Sequence, residues 1–150
     1  MAIQLTGGAT LGIVQGAPAT YDQTGFDALS FQNVGEIESF GEFGNTATIT
    51  EFTAVDDRIV NKLVGSMNPG DLALTLGRDA TDAGQVIFSN AVRPAHASYG
   101  QTFSIKITYD DASVQYFTSV IGSYTTNPSD VNSVVRSTVT LGINNEIIEV

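Results

Sequence analysis

At 150 residues, 42% hydrophobic and only 15% charged, the chain carries enough apolar content to bury the core of one ordinary domain and too much to stay disordered. Its net charge of −10 comes with basic residues scattered singly at Arg58, Lys62, Arg78, Arg93, Lys106 and Arg136, which excludes the basic patches that tight DNA or RNA binding needs. The absence of cysteine removes disulfides, thiolate metal sites and Cys nucleophiles.

The opening residues MAIQLTGGAT lack a basic n-region and a long apolar core, so no signal peptide is read there and synthesis in the cytoplasm is expected. No apolar run approaches the roughly 18 residues that a membrane-spanning helix requires. Residues 10–16 predict a short strand. Residues 17–33 read as a loop from which Phe26, Leu29 and Phe31 dock on the core. Residues 34–43 predict a strand in which Glu36 and Glu38 alternate with Ile37 and Ser39. Gly44-Asn45 is a turn signal. The β-branched run 46–53 predicts another strand.

Residues 54–68 read as an extended arm or loop, with a helix as the competing assignment because Ile59, Val60, Leu63 and Val64 also fall at helical spacing. Pro69-Gly70 is a turn, and 71–77 alternates Leu72, Leu74 and Leu76 against Asp71, Ala73 and Thr75. One helix is expected over 79–93. Asp79 caps it, Ala83, Ile87, Phe88 and Ala91 share its inner face, and Pro94 stops it. Residues 101–109 and 113–125 then alternate on either side of an Asp110-Asp111-Ala112 turn. Strands at 133–142 and 146–150 complete the chain. The pattern predicts a mainly β fold, a two-sheet β-sandwich or open barrel with one α-helix and a long loop or β-arm, in one domain.

Chemistry is hard to find in this pattern. His96 is the only histidine, and it sits in a loop, so neither a zinc site nor a Ser-His-Asp triad can be assembled around it. Asp110-Asp111 fits a hairpin turn, and Asp56-Asp57 matches no calcium loop. Gly7-Gly8 precedes a strand rather than a helix, so it is no phosphate cradle. No acid, base and nucleophile set stands out. The expectation is a protein without catalytic residues, metal or cofactor, and not an enzyme.

Three stretches resemble the major tail tube proteins of phages with long non-contractile tails (the lambda-like siphophages) and of gene transfer agents. They are Gly65-Ser66-Met67-Asn68-Pro69-Gly70-Asp71 leading into Leu72–Leu76, the helix at Asp79 followed by the strand Phe103 to Ile107, and the hairpin Tyr109–Ala112 into Gln115–Gly122 with the closing strand Ser137–Ile143. The resemblance covers roughly residues 10–145. It implies a structural virion protein whose six copies close into a ring, with strands combining around a lumen and rings stacking into a tube.

The implied partners are further copies of the chain, the tape measure protein, the tail terminator and baseplate or tip proteins. DNA would pass without specific binding, and no membrane anchor is implied. Location in the virion tail after synthesis in the bacterial host is implied too. The arm at about 53–66 would then reach a neighbour through Val55, Asp56, Asp57, Arg58, Ile59, Val60, Lys62 and Leu63. Candidates to line the lumen are Glu36, Glu38, Glu42, Glu51, Thr108 and Gln115. The alternatives are a single-ring tail terminator, neck or secretion-tube subunit of the same fold, and a monomeric β-sandwich ligand-binding module.

Overall fold

Period-2 alternation drives the architecture. In the computed structural model, which describes residues 3–150, β1 (Thr10–Gln15) buries Leu11 and Ile13, and β6 (Asp71–Gly77) buries Leu72, Leu74 and Leu76. β7 (Phe103–Thr108) buries Phe103, Ile105 and Ile107, β8 (Val114–Asn127) buries Phe117, and β9 (Arg136–Glu149) buries Val139, Leu141 and Ile143. Together with β2 (Gln32–Val34) and β3 (Ile37–Phe40) these strands form one antiparallel sheet in the order β2-β1-β7-β8-β9-β6-β3. Each fully buried aliphatic or aromatic side chain contributes roughly 1.5–3 kcal/mol relative to exposure, so this interior holds the fold together.

The two outermost strands of that sheet, β2 and β3, are joined by Gly35 and Glu36 alone. Three Cα–Cα steps reach at most about 11 Å. The sheet therefore curls until its two edges approach, giving an open barrel with the core inside. The sequence reading expected one strand over 34–43. The chain instead leaves one edge and joins the other within it, and Glu36 takes a left-handed φ of 61° at the crossing.

β8 and β9 serve both walls of the barrel. β7 pairs with Val114–Ser119 of β8 only, and β6 pairs with Arg136–Gly142 of β9 only. Register shifts at Tyr116/Thr118 and Ile121/Ser123 bend the pair between the walls, as bulges do. The expected strands at 133–142 and 146–150 are one strand. Asn145, at φ 70°, is absorbed within β9 instead of breaking it.

The helix α2 (Ala83–Ala91) closes the barrel, with Phe88 and Ala91 in the core. It lies inside the expected span, but Asp82 caps it. Asp79 instead accepts hydrogen bonds from the Thr81 N–H and hydroxyl in the preceding turn. Asp82 also accepts from the Gly35 N–H at 2.9 Å. Gln85, 1% exposed, donates to the Gly35 carbonyl at 3.1 Å and the Gly77 carbonyl at 2.9 Å, and accepts from the Asp79 N–H at 2.9 Å. One side chain thus ties together β6, the crossing between the sheet edges and the helix entry. The buried face includes Gly84 and Gln85, while Ala83 is exposed, so the helix is rotated from the expected inner face. A Cβ on Gly84 would come within 2.7 Å of the Asn33 carbonyl and the Val34 backbone, so glycine permits this close approach to β2.

The expected loop at 17–33 contains a short helix, α1 (Gln23–Asp27), capped by Asp22. It presses Phe26 onto the outer side of the sheet, where the ring stacks on Tyr116 at 5.1 Å between centroids. The Tyr116 hydroxyl donates to Asp27 at 2.5 Å. Burial first, and that hydrogen bond second, push the Tyr116 phenol up to about 12.

Candidate assembly surfaces

Two strands stand outside the curled sheet. β4 (Thr46–Phe52) and β5 (Asn61–Asn68) form a separate antiparallel hairpin, registered through Thr46 with Asn68, Ile49 with Val64, Thr50 with Leu63, Glu51 with Lys62 and Phe52 with Asn61. All eight residues of β5 are exposed, as are all but Ala47 on β4. Local β-propensity and cross-strand pairing hold the hairpin.

Directly opposed residues share a face, so Ile49 and Val64 lie on one face while Leu63 and Phe52 lie diagonally on the other. Ile49, Phe52, Leu63, Val64 and Met67 are each more than half exposed, and so are Val55 and Ile59 in the connection between the strands. Large apolar side chains on both faces of a projecting hairpin are what a free polypeptide in water avoids.

The tip is an ordered turn. The Asp57 N–H donates to the Ala54 carbonyl at 3.1 Å, and the Asp57 carboxylate accepts from the Ile59 N–H at 3.1 Å. The root is fastened by the Gly44 N–H to the Pro69 carbonyl at 3.2 Å and the Gly70 N–H to the Asn68 side chain at 2.9 Å. Gly70 has φ 87°, a left-handed turn that glycine adopts without strain.

The sequence reading assigned the arm to 53–66 and kept 46–53 as a separate strand. The arm is larger. Residues 46–52 are its first strand, and its far strand runs to Asn68. Val55, Asp56, Asp57, Arg58, Ile59 and Val60 lie in the exposed connection, and Lys62 and Leu63 lie on β5. Ile49, Phe52, Val64 and Met67 are also exposed on the hairpin and were not among the named arm candidates. The available signal was the placement of apolar residues at positions that alternate to opposite faces, with no polar face left over.

The six lumen candidates do not share one surface. Glu38 on β3 pairs with Arg136 on β9 at 2.5 Å, with the two side chains 50% and 44% exposed, a surface pair of small energetic worth. Glu36 is exposed at the crossing beside it. Glu42 is exposed near the root of the arm, and Glu51 stands on the arm opposite Lys62. Thr108 and Gln115 lie across the barrel on β7 and β8. There Gln115 donates to Glu149 at 2.8 Å and accepts from the Tyr109 hydroxyl.

The residues weighed for chemistry serve turns. The Asp111 carboxylate accepts from the Ser113 hydroxyl and N–H, which holds it below the ordinary range, and Ala112 follows at φ 69°. His96 Nδ1 accepts from the Ser98 N–H at 3.0 Å.

Solved structures share this architecture. The chain is similar to a protein of the 6-fold symmetrised baseplate of the anti-feeding prophage, with a TM-score of 0.72, 10% identity, and coverage of 100% of this chain and 97% of that one. It is similar to the SPP1 tail tube protein, with a TM-score of 0.63, 15% identity, and coverage of 94% and 75%. It is also similar to a protein of the sheath/tube terminator of the PVC extracellular contractile injection system, with a TM-score of 0.61, 13% identity, and coverage of 93% and 91%. At such identities the likeness is one of fold, a mainly β architecture shared with those proteins. No protein-family model and no curated protein sequence matches the chain.

Proposed function

We propose that this chain is a tail tube subunit of a long non-contractile-tailed phage or gene transfer agent, forming hexameric rings that stack into the conduit for the genome. The observation that carries the reading is the arm. It projects an apolar, self-paired hairpin away from a closed core, which leaves Ile49, Phe52, Leu63, Val64 and Met67 to be covered by another molecule. A second copy provides that cover through a head-to-tail contact, and such contacts propagate along an open assembly. The likeness to the SPP1 tail tube supports the same reading. The charge of −10 per chain, without a basic cluster, suits a wall past which DNA moves without sticking. The tape measure, terminator and tip proteins would meet this chain at the lumen and the ends.

A single-ring terminator or cap is the second reading. The likeness to the PVC terminator favours it. Sedimentation velocity over a concentration series separates the two. A tube subunit gives polymers whose size grows with concentration. One discrete ring species at every concentration establishes the terminator reading, and a monomer throughout rejects both.

A further inference from the structure

β9 loses one neighbour partway along. β6 pairs with it as far as Gly142, and the Ile143 N–H donates to the Gly70 carbonyl at 3.1 Å as the last bond of that ladder. Beyond this point β9 pairs, among the described residues, with β8 alone. The N–H and carbonyl of Val150, just past β9, both bond Val114 beside it. Alternation then turns the backbone groups of Ile147 and Glu149 to the opposite side, where no strand lies.

Here the arm forks away. β3 pairs with β6 and β4 with β5, so the arm continues the β3–β6 hairpin in both chain order and pairing. β5 leads into β6 through Pro69 and Gly70, and its edge away from β4 is unpaired among the described residues. Extending the β6–β9 register past Gly70 sets Pro69 against Asn144, Asn68 against Asn145 and Met67 against Glu146. Met67, Pro69, Asn145 and Glu146 are the residues that, with Asn45, line a cleft of about 450 Å³. The cleft is therefore the gap between two strand edges in matching register, joined at one end. Pro69 is compatible with closure of that gap. It falls opposite Asn144, which pairs with Thr118 of β8, at a position where the ladder to β9 asks for no N–H.

The root can turn. Gly44 and Gly70 hold φ of 152° and 87°, and a Cβ on Gly44 would meet nothing within 4 Å. We infer that the arm has a second position, in which β5 closes onto the Asn144–Glu149 edge of β9 and lies along its own barrel. A closed arm cannot reach a neighbouring copy, so the contact is an intramolecular brake on assembly. The brake rests on the self-assembly reading above; the closure itself does not. It is a partial brake, because neighbours at high concentration bind the projecting form and draw the population toward it.

The cysteine-free chain supplies the test. Met67→Cys combined with Glu146→Cys puts one thiol on each side of the cleft. In the closed position the two residues are directly opposed at a non-hydrogen-bonded site, with Cα atoms about 4.5 Å apart, within reach of a disulfide. Mild oxidation of the dilute monomer is expected to consume both thiols without forming a covalent dimer. The oxidised variant is expected to stay monomeric at concentrations roughly tenfold above those at which its reduced form pellets, and reductant to restore polymerisation. Thiols that both remain free in the folded, dilute monomer overturn the closed position. An oxidised variant that polymerises at the same concentration as the reduced one overturns the brake. Failure of the unsubstituted chain to assemble overturns the self-assembly reading and the brake with it, while the disulfide still reads the closure.

Discussion

Replacing Phe52 and Leu63 by serine isolates assembly from folding. The two side chains neighbour each other on one face of the arm, each is 61% exposed, and neither belongs to the core. If a neighbouring copy covers the exposed part, each loses about three-fifths of the roughly 1.5–3 kcal/mol that full burial supplies. The pair then contributes about 2–4 kcal/mol to each contact. This predicts a critical concentration for polymerisation roughly 30- to 700-fold higher in the double variant. The same variant should unfold within about 0.5 kcal/mol of the parent, because surface changes away from packed features have small effects. Pelleting over a concentration series reads the first quantity, and urea unfolding of the monomer reads the second. An unchanged critical concentration refutes the claim that this face is covered on assembly. A collapse in monomer stability refutes the claim that the arm is energetically separate from the core.

Two further outcomes test the barrel itself. Gln85→Leu leaves the Gly35 and Gly77 carbonyls and the Asp79 N–H without their partner and should destabilise the monomer by about 2–4 kcal/mol in urea; a loss below about 1 kcal/mol contradicts its role in tying the sheet edges. The Tyr116 phenol, raised to about 12 by burial and by its bond to Asp27, favours the folded state fully below its unfolded pKa of about 10. That contribution is lost as the pH rises through 12. Tyr116→Phe should therefore flatten the fall in urea midpoint between about pH 9.5 and 11.5, and an equally steep fall in the variant removes Tyr116 as its cause.

Much of the sheet was legible because alternation was complete. β1, β6 and β7 each place apolar residues at every second position, and no other regular structure satisfies that pattern. The strand break at Gly35-Glu36 was illegible because it depends on the sheet curling far enough for its edges to approach, which no local pattern encodes. The sequence reading separated strands at 133–142 and 146–150, leaving Asn144 and Asn145 between them. Pairing to β8 on both sides of it keeps β9 continuous. The helix cap moved from Asp79 to Asp82 because both residues precede the same apolar stretch, and Asp82, which accepts the cap bond from the Gln85 N–H, also accepts a tertiary bond from the Gly35 N–H. The arm was half legible. Residues 46–52 have the β-propensity of any body strand, and propensity does not say what a strand will pack against.

The central claim is that this chain assembles with itself through surfaces the folded monomer leaves open. Negative-stain electron microscopy of the purified chain, concentrated at neutral pH, addresses it most directly. The account predicts long hollow tubes with a regular axial repeat. Discrete particles the size of one chain at every concentration would contradict it.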